Sequence, residues 1–467
     1  ANGQLKESNY DTNSVKYVID GWGNKIEMTD PNAGTYKYSY DAFGQIKTET
    51  TPNGTTAYEY DDAGKLIEKT IKGAGNNSLS KYTYNSVNLI TESSFKNIDE
   101  GTSIINSFEY DSYKRISKKT ETTPYAVFVK ELTYDTYGRT LTETSFASIS
   151  GKSSSKKVKH TYQNGFAWQI LDDATQKILW QTNSLNEKGQ LTGASLGSGI
   201  AITNIYDSYG YASQFKVDRT VTNPGNVMTL TTLFEPKRGN LTNRTNNLFS
   251  WNESFSYDEL DRLLTYNNEL GQKETQTYDI KGRISKNNVG TYDYPQTGKT
   301  YQTNSISLST EASNYYKNRG VGANSASKLS LDITYNTFKS PITIKEQGRD
   351  GTYIDYLNFT YNDDNQRSSM FYGGSQDNKL DRPFRKHYSG DGTMEIKENR
   401  TTGAIEFVTY IGGDGYSAPL LIKSDGSGTT PNYLYLHRDY QGTIVAVTDN
   451  TGAIVEKRLF DAWGAIL

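Results

Sequence analysis

The sequence predicts an all-β protein built from repeated hairpins, and three observations support this. Tyr-Asp or Tyr-Asn pairs recur along the chain, and most are followed four residues after the Tyr by Gly, Asn or Asp. Tyrosine and threonine are frequent, and both suit the pleated, half-buried surface of a strand. No sustained period of 3.6 residues, the pattern of an amphipathic helix, runs through the chain.

The composition limits the kind of core that this protein can build. Hydrophobic residues make up 34% of the 467 residues, and the mean hydropathy is −0.74. These values approach those of disordered chains, but disordered chains are poor in aromatic residues, and this one has 37 Tyr and 16 Phe. We therefore expect extended, half-solvated sheet with little conventional core.

Each position of the repeat has a physical reason. Tyr ends one strand, and the Asp or Asn side chain accepts a hydrogen bond from the backbone two residues on, which starts a turn. The fourth residue after Tyr must adopt a positive φ, which favours Gly and then Asn or Asp. Lys114 and Lys339 occupy this position, so we expect them to be strained or to mark a different turn. An aliphatic residue then begins the returning strand. The pairs begin at Tyr10, Tyr40, Tyr60, Tyr84, Tyr110, Tyr134, Tyr206, Tyr257, Tyr278, Tyr335 and Tyr361.

A row of such hairpins predicts one continuous sheet. A single hairpin is barely stable in water, whereas hairpins laid edge to edge stabilise their nearest neighbours. The regularity fades in two places. Residues 145–158 are predicted to be a long polar hairpin loop or linker, and residues 286–330 lack the spacing of the repeat. The stretch 310–330 is the best candidate for a domain boundary.

Several function classes are disfavoured by charge and by residue usage. The net charge is −3 and no basic stretch is present, so we expect no nucleic-acid partner and no membrane surface. The absence of cysteine excludes disulfides, thiolate metal sites and a cysteine nucleophile. No apolar run is long enough to span a bilayer. Because no signal peptide opens the chain at Ala1, we expect it to be a segment of a longer polypeptide.

The chain is predicted not to be an enzyme, and no catalytic, cofactor-binding or metal-binding residue is assigned. The histidines are His160, His387 and His437, and they lack zinc-site spacing. His437 lies two residues before Asp439, which leaves a general base as an alternative to a polar strand residue beside a turn. A carboxylate pair that acts on a polysaccharide also stays open.

Three short motifs resemble ligand loops without completing them. Asp61-Asp62 and Asp363-Asp364-Asn365 resemble parts of a calcium loop, but turn capping is the favoured interpretation. The Gly-rich segment 371–375 is not followed by the Lys-Ser or Lys-Thr of a phosphate loop. Residues 412–416 are predicted to be a turn between the repeats and the last segment.

The repeats of residues 10–366 resemble those of the YD-repeat, or Rhs, family. A sharper resemblance lies in the last segment, where Tyr435–Thr443, Val447–Gly452 and Phe460–Gly464 are similar to the Rhs-associated core. Val447 and Phe460 replace the usual Leu and Tyr of that pattern. The resemblance implies hairpins that spiral into a hollow β shell, closed by the core segment. It divides the chain into a shell, 1–411, and a core-like segment, 412–467.

The resemblance also implies a function. In the toxin members of this family, the shell holds a C-terminal toxic domain, and an aspartate-dependent self-cleavage just beyond the core usually frees that domain from the shell. We expect a structural shell of a secreted bacterial polymorphic toxin, located outside the cell or at its surface. Its partners would be the toxin cargo, further shell segments and a component of a secretion system. The alternative is a cell-surface adhesion or carbohydrate-binding protein without cargo, and an enzyme acting on polysaccharide ranks third.

The area of the sheet limits the cargo. Each sheet residue covers roughly 16 Å², so about three-quarters of this chain would enclose a sphere of about 21 Å radius. The cavity would then hold on the order of 100 residues at most, by the same strand dimensions. A larger cargo would need additional shell.

Overall fold

The fold is known from a computed structural model, which describes residues 3–10, 13–73, 75, 77–221, 223–268, 270–318, 323–324, 328–329, 331–347, 353–428, 431–464 and 466–467. Antiparallel strands form most of this part of the chain. The all-β prediction is therefore confirmed.

The first large sheet is an antiparallel meander in which each strand pairs with the next along the chain. Within the described residues it has 22 strands: Glu7–Tyr10 (β1), Asn13–Ile19 (β2), Lys25–Asp30 (β3), Gly34–Tyr40 (β4), Ile46–Thr51 (β5), Gly54–Tyr60 (β6), Leu66–Gly73 (β7), Ser78–Tyr84 (β8), Ile90–Asn97 (β9), Thr102–Tyr110 (β10), Ile116–Thr122 (β11), Val127–Tyr134 (β12), Thr140–Ile149 (β13), Lys152–Gln163 (β14), Phe166–Asp172 (β15), Ile178–Leu185 (β16), Leu191–Leu196 (β17), Ile200–Tyr206 (β18), Ala212–Arg219 (β19), Gly225–Phe234 (β20), Leu241–Asn246 (β21) and Trp251–Ser254 (β22).

The prediction of a loop or linker over residues 145–158 is wrong. This stretch forms the facing halves of β13 and β14, which pair from Thr142 and Lys159 to Ile149 and Lys152. The turn needs only Ser150 and Gly151, which both adopt positive φ, at 50° and 78°. From Ser153 to Lys157 exposed side chains alternate with half-buried ones, and Ser145, Ala147 and Ile149 on β13 are buried, so a two-sided sheet explains the polar composition.

Short elements follow the first sheet. Their bounds are Ser256–Tyr257 (β23), Leu263–Asn267 (β24), Lys273–Thr275 (β25), Thr277–Tyr278 (β26), Ile284–Lys286 (β27), Gly290–Asp293 (β28), Ser305–Leu308 (β29), the helix Thr310–Asn318 (α1), Ala323–Asn324 (β30) and Lys328–Leu329 (β31). The sequence did not predict α1. Its start is set locally, because the Ser309 hydroxyl oxygen accepts a 3.1 Å hydrogen bond from the Ala312 amide, and Glu311 lies in the first turn.

The second large sheet is also a meander. The strands described for it are Leu331–Tyr335 (β32), Pro341–Gln347 (β33), Tyr353–Tyr361 (β34), Arg367–Tyr372 (β35), Phe384–Tyr388 (β36), Met394–Asn399 (β37), Ala404–Ile411 (β38), Leu420–Ser424 (β39), Asn432–Arg438 (β40), Ile444–Thr448 (β41) and Ile454–Lys457 (β42), with a 3-10 turn at Lys379–Asp381. β38 pairs with β39, so this sheet continues across residue 411. The division after residue 411 stays a prediction.

The second sheet packs against the first through two apolar clusters. In the smaller cluster, Phe128 and Ile149 of the first sheet contact Ile396 and Phe407 of the second. The larger cluster joins residues such as Leu179, Ile200 and Met228 to Leu420, Tyr435 and Val445. The buried apolar core is thus concentrated where the two sheets meet.

Candidate functional site

The repeat forms its predicted turn. In the copy that begins at Tyr134, Asp135 Oδ1 accepts hydrogen bonds from the amides of Tyr137 and Arg139, each 2.9 Å long. The Gly138 amide donates to the Asp135 carbonyl oxygen at 3.0 Å, and Gly138 has a φ of 82°. The carboxylate therefore fixes both the start and the end of the turn.

The two lysines at the left-handed position form the same turn. Lys114 and Lys339 have φ values of 65° and 63°, and each amide donates to the Asp or Asn carbonyl oxygen three residues earlier, at 3.0 Å. The alternative of a different turn type is therefore wrong. The left-handed conformation costs about 1–2 kcal/mol for a residue with a Cβ.

The tyrosines of the repeat connect one hairpin to the previous one. The Tyr110 hydroxyl donates a 2.7 Å hydrogen bond to the carbonyl oxygen of Ile90, the residue that begins the returning strand one repeat earlier. The same contact joins Tyr60 to Ile46, Tyr84 to Leu66, Tyr134 to Ile116, Tyr162 to Thr140, Tyr257 to Leu241, Tyr278 to Leu263 and Tyr361 to Pro341. We call this series the tyrosine ladder. Burial raises the pKa of Tyr110, which keeps its hydroxyl a donor.

A basic residue reinforces the ladder in several repeats. Arg115 Nε donates to Asp111 Oδ2 at 2.7 Å, and its guanidinium lies over the ring of Tyr134, 4.2 Å from the centroid. Arg139 repeats this geometry between Asp135 and Tyr162. The cation thus joins the turn of one repeat to the tyrosine of the next through an ion pair and a cation–π contact.

Polar contacts also cross the interface between the two large sheets, which we call the seam. The residues that make such contacts include Lys69, Glu121, Lys130, Lys156 and Asp172 of the first sheet, and Asp363, Gly390, Asp391 and Tyr433 of the second. Glu121 Oε2 accepts the Gly390 amide at 2.7 Å, and Lys130 Nζ lies 2.9 Å from Asp391 Oδ2. Backbone and charged groups therefore fix the relative position of the sheets in addition to apolar packing.

A buried triangle of polar groups forms a second fixed point of the seam. Lys156 contacts Asp172 on the neighbouring strand, and Tyr433 donates a 2.7 Å hydrogen bond to Asp172 Oδ2. Burial acts to raise the pKa of Asp172, but the hydrogen bonds from Lys156 and Tyr433 outweigh it and lower this pKa to about 2. Asp172 is therefore ionised at neutral pH.

Close backbone approach positions one turn of the second sheet. The methyl group of Thr337 lies over Gly54 and Gly73, where an added Cβ would come within 2.6 Å and 2.4 Å of it. Gly73 lies in this contact without a positive φ. Its lack of a side chain thus serves packing and not a turn.

The three histidines do not share a site. His160 Nε2 lies 3.6 Å from Glu143 Oε2 on the neighbouring strand. His437 is buried and shares a 2.9 Å hydrogen bond with Thr448 Oγ1, and burial lowers its pKa to about 4. Asp439 instead accepts the amides of its own turn, so the geometry does not favour His437 as a general base.

His387 lies between a serine and a glutamate, but it has neither the hydrogen bond to the carboxylate nor the access of a hydrolytic triad. Its Nδ1 is 2.9 Å from Ser369 Oγ, and its Nε2 is 3.8 Å from Glu398 Oε2. Ser369 is only 1% exposed, and the imidazole stacks on Tyr125 with the centroids 5.0 Å apart. Burial lowers the pKa of His387. A substrate cannot reach this serine in the closed seam.

The remaining motifs lie in turns. Asp61 accepts the amides of Ala63 and Lys65, as a turn cap does. The Asp363 carbonyl oxygen accepts Lys69 Nζ at 2.6 Å. In the segment 371–375, the Gly374 amide donates to Asp355. Residues 412–416 form the predicted turn, which Asp414 caps through the amides of Tyr416 and Ser417. Across the described ranges, no three His, Asp or Glu side chains are grouped to hold a metal ion.

No helix among the described residues is long and apolar enough to cross a membrane.

Comparison with known proteins gives the family of the repeats. The RHS Repeat family model matches residues 20–56 and 40–76. No curated protein matches the chain. Among solved structures, TcdB2-TccC3-TEV superposes with a TM-score of 0.60 at 14% identity, covering 98% of this chain and 27% of that chain. The Photorhabdus luminescens Tc holotoxin pore, with a mutation in TccC3, gives a TM-score of 0.61 at 14% identity and covers 98% and 26%.

The chain therefore spans about a quarter of the length of the solved chains it matches. The similarity in structure extends over nearly the whole of this chain, whereas the family model covers only its first repeats. Beyond residue 76, the repeats make the same contact between a tyrosine hydroxyl and the carbonyl oxygen of the previous repeat. These findings confirm the resemblance given by the motifs: the repeats of this chain are similar to those of the YD-repeat, or Rhs, family, and its fold is similar to that of the TcdB2-TccC3 structures.

Proposed function

We propose that the chain is a shell segment that encloses, and helps to deliver, a C-terminal toxin domain of a secreted bacterial toxin. The observation that carries the proposal is the combination of tyrosine ladder and seam. The ladder links successive hairpins into one long sheet, and the contacts of the seam hold the second large sheet against the first. Two long sheets that are joined in this way are more typical of a shell segment than of a compact enzyme.

The comparisons support this function as an analogy. The matched structures are TcdB2-TccC3 assemblies and a Tc holotoxin pore, and they share the fold of this chain along nearly all of its length. Since this chain covers only about a quarter of those chains, further shell segments are the proposed partners. A secretion-system component and the toxin domain complete the proposed set. We place the assembled protein outside the cell or at its surface.

The shell itself is proposed to be catalytically inactive. The one serine–histidine–glutamate arrangement found in the described residues, at Ser369, His387 and Glu398, is closed to substrate by burial. A hydrolase assay with the natural full-length protein carrying Ser369→Ala tests this point. Loss of an activity in that variant, with the fold retained, would contradict the proposal.

The gene that encodes the chain gives the first test of the shell function. We expect an Asp-Pro-x-Gly-Leu-like segment and an unrelated domain to be encoded after Leu467. An anchor or more repeats in that place would instead favour adhesion.

A second candidate, an adhesion or carbohydrate-binding protein, is favoured by the hairpin tips. Trp22, Phe43, Tyr113 and Tyr137 lie just before the left-handed residue of their turns, and each is at least 78% exposed. Every second turn of the meander lies on the same edge of the sheet, so consecutive tips on that edge are two strand spacings, or about 9.6 Å, apart. The rings form two neighbouring pairs, Trp22 with Phe43 and Tyr113 with Tyr137, and the tips between the pairs carry Ala63 and Val87. Two exposed rings on neighbouring tips suit stacking on sugar rings. This candidate predicts that the unaltered protein binds polysaccharide and that replacement of all four residues by Ser abolishes the binding. No binding by the unaltered protein would contradict the candidate, and retained binding in the variant would contradict the role of the tips.

A further inference from the structure

A row of polar side chains lies beneath the seam. Tyr82, Ser93, Asn106 and Glu121 are direct partners on the successive strands β8, β9, β10 and β11. Direct partners in an antiparallel sheet point to the same face, with Cα atoms about 4.5–5.5 Å apart. The four side chains therefore form one line across the sheet.

Two turns of the second sheet cover this row. Over one end, Tyr82 contacts Asp363, with 3.4 Å between its hydroxyl and Oδ2. Over the other end, the Gly390 amide donates to Glu121 Oε2 at 2.7 Å. Asn106 and Glu121 are 8% and 4% exposed. The row is thus sealed by the seam itself.

Two buried oxygen atoms in the sealed row, one from Asn106 and one from Glu121, lack a hydrogen-bond partner among the described residues. Asn106 Nδ2 donates to Ser93 Oγ at 3.3 Å, which leaves Asn106 Oδ1 on the other side. Within the described residues, neither Asn106 Oδ1 nor Glu121 Oε1 has a hydrogen-bond partner. Both atoms only accept when the glutamate is ionised. Because Asn106 and Glu121 are direct partners on neighbouring strands, an ionised carboxylate would lie beside an amide oxygen in a buried place. A proton on Oε1 turns this conflict into a hydrogen bond.

The surrounding charges favour the proton. Burial raises the pKa of Glu121, the Gly390 amide and Lys119 on the same strand oppose this rise, and Asp391 and Asp363 add to it. Lys130 is the nearest other cation on β12, but it pairs with Asp391 and Glu143. On β7, Lys69 donates to the Asp363 carbonyl oxygen. The basic groups around Glu121 are therefore largely committed to other partners.

We propose that Glu121 is protonated in the closed seam and donates this proton to Asn106 Oδ1, so that the seam holds at acidic to neutral pH and loosens at alkaline pH. When the pH rises, the proton passes to solvent base and leaves a buried carboxylate opposite the amide oxygen. The bond from the Gly390 amide alone does not compensate this charge for its lost hydration. Separation of the turn 389–393 from the first sheet lets solvent reach the carboxylate.

One other arrangement satisfies the same atoms and has the opposite consequence. If the Asn106 amide were rotated by half a turn, Nδ2 would donate to an ionised Glu121 and Oδ1 would accept from Ser93. The ionised form would then stabilise the seam. The two arrangements therefore predict opposite signs for the effect of removing the charge.

The substitution Glu121→Gln shows whether removal of the charge stabilises or destabilises the seam. Glutamine keeps the shape of the side chain and the acceptor for the Gly390 amide, and it adds a donor toward Asn106. Thermal unfolding of the wild-type chain and of this variant is measured from pH 4.5 to pH 9. Because the unfolded chain ionises Glu121 above about pH 4.3, we expect nearly equal midpoints near pH 4.5 and a higher midpoint for the variant, by about 2 °C or more, at neutral and alkaline pH. A lower midpoint for the variant at neutral pH would overturn the proposal. The control is Glu109→Gln, whose side chain is 69% exposed.

A labelling experiment separates opening of the seam from global unfolding. The chain has no cysteine, so Ser80→Cys places a single thiol next to the row, at a position with 0% exposure. Its rate of modification is divided by that of Thr133→Cys on the outer strand surface, which corrects for thiol ionisation. We expect the ratio to rise at least several-fold between pH 6 and pH 9, and Glu121→Gln to abolish the rise. A ratio that is independent of pH would also overturn the proposal.

Discussion

The Tyr110 hydroxyl donates a 2.7 Å hydrogen bond to the Ile90 carbonyl oxygen, which joins two consecutive repeats outside the strand ladder. The strands give each hairpin its shape, and this bond ties the end of one hairpin to the start of the previous return strand. Because the same contact recurs along the first large sheet, and is also made by Tyr361 in the second, the stability of each of these repeats depends on its neighbour.

Tyr110→Phe removes this link while it keeps the ring. We expect the free energy of unfolding to fall by about 1 kcal/mol, the net value of a typical hydrogen bond. Urea unfolding followed by circular dichroism measures it. Tyr113→Phe is the matched control, since this tyrosine lies three residues on at the exposed tip of the same turn. An equal loss in both variants would show that the ladder bond contributes nothing.

Substitutions at the left-handed position of the turn are predicted to change stability in opposite directions, depending on whether Gly is removed or introduced. Gly44 has a φ of 81° and no neighbouring atom within 4 Å of an added Cβ, so Gly44→Val acts through the backbone alone. We expect a loss of about 2 kcal/mol, whereas Lys114→Gly should gain roughly 0.5–1 kcal/mol at its φ of 65°. Thermal unfolding checks both.

Gly21→Val is the control for this pair of variants. Gly21 lies in the equivalent turn without a positive φ and without neighbours within 4 Å. A loss at Gly21 as large as that at Gly44 would remove the backbone explanation.

Close packing of the turn 336–340 on the first sheet gives the third prediction. Gly73→Ala would place a methyl group 2.4 Å from the Asn53 carbonyl oxygen and 2.4 Å from Thr337 Cγ2. We expect a cost of about 1–3 kcal/mol, as for other overpacked sites. Gly225→Ala, where an added Cβ meets nothing within 4 Å, should leave the unfolding midpoint unchanged. If the two variants behave alike, the turn does not dock on Gly73.

The triangle of Lys156, Asp172 and Tyr433 is predicted to make the stability of the fold depend on pH in the acidic range. The pKa of Asp172 is about 2 in the folded protein and about 3.9 in an unfolded chain, so ionised Asp172 stabilises the fold by roughly 2–3 kcal/mol at neutral pH. Because the folded pKa is the lower one, this stabilisation is present above about pH 4 and is lost as the pH falls toward 2.

The substitution Asp172→Asn tests that dependence. It keeps the Oδ1 acceptor for the Ala174 and Thr175 amides and removes the charge. We expect destabilisation at pH 7 that disappears near pH 2, measured by urea unfolding at each pH. Asp173→Asn, which affects an exposed ion pair with Lys157, should show little change at either pH. A constant effect of Asp172→Asn at all pH values would contradict the assignment of charge.

Much of the fold was predictable because the repeat encodes it locally. Asp135 as a turn cap, Gly138 at positive φ and Leu66 at the start of a returning strand follow from the motif alone. The helix α1 was missed because its cap at Ser309 is a local signal without an amphipathic stripe. Residues 145–158 were misjudged because a strand with one solvated face has the composition of a loop.

The seam was not predictable from the repeat. Glu121 contacts Gly390 across 269 residues, and Lys156 contacts Tyr433 across 277. No local pattern marks such pairs, although Gly54 and Gly73, strand glycines in a Thr-rich region, were a signal of close approach. The tyrosine ladder was only partly predictable, since the sequence places each Tyr at the end of a strand but does not show the hydrogen bond that its hydroxyl donates to the previous repeat.

Protection of cargo tests the central proposal most directly. The natural full-length protein is treated with a non-specific protease, and fragments are identified by mass spectrometry before and after the seam is opened with mild denaturant. We predict that the domain encoded after Leu467 resists digestion until the shell unfolds, while the same domain expressed alone is digested quickly. Rapid digestion of that domain while the shell stays intact would contradict enclosure.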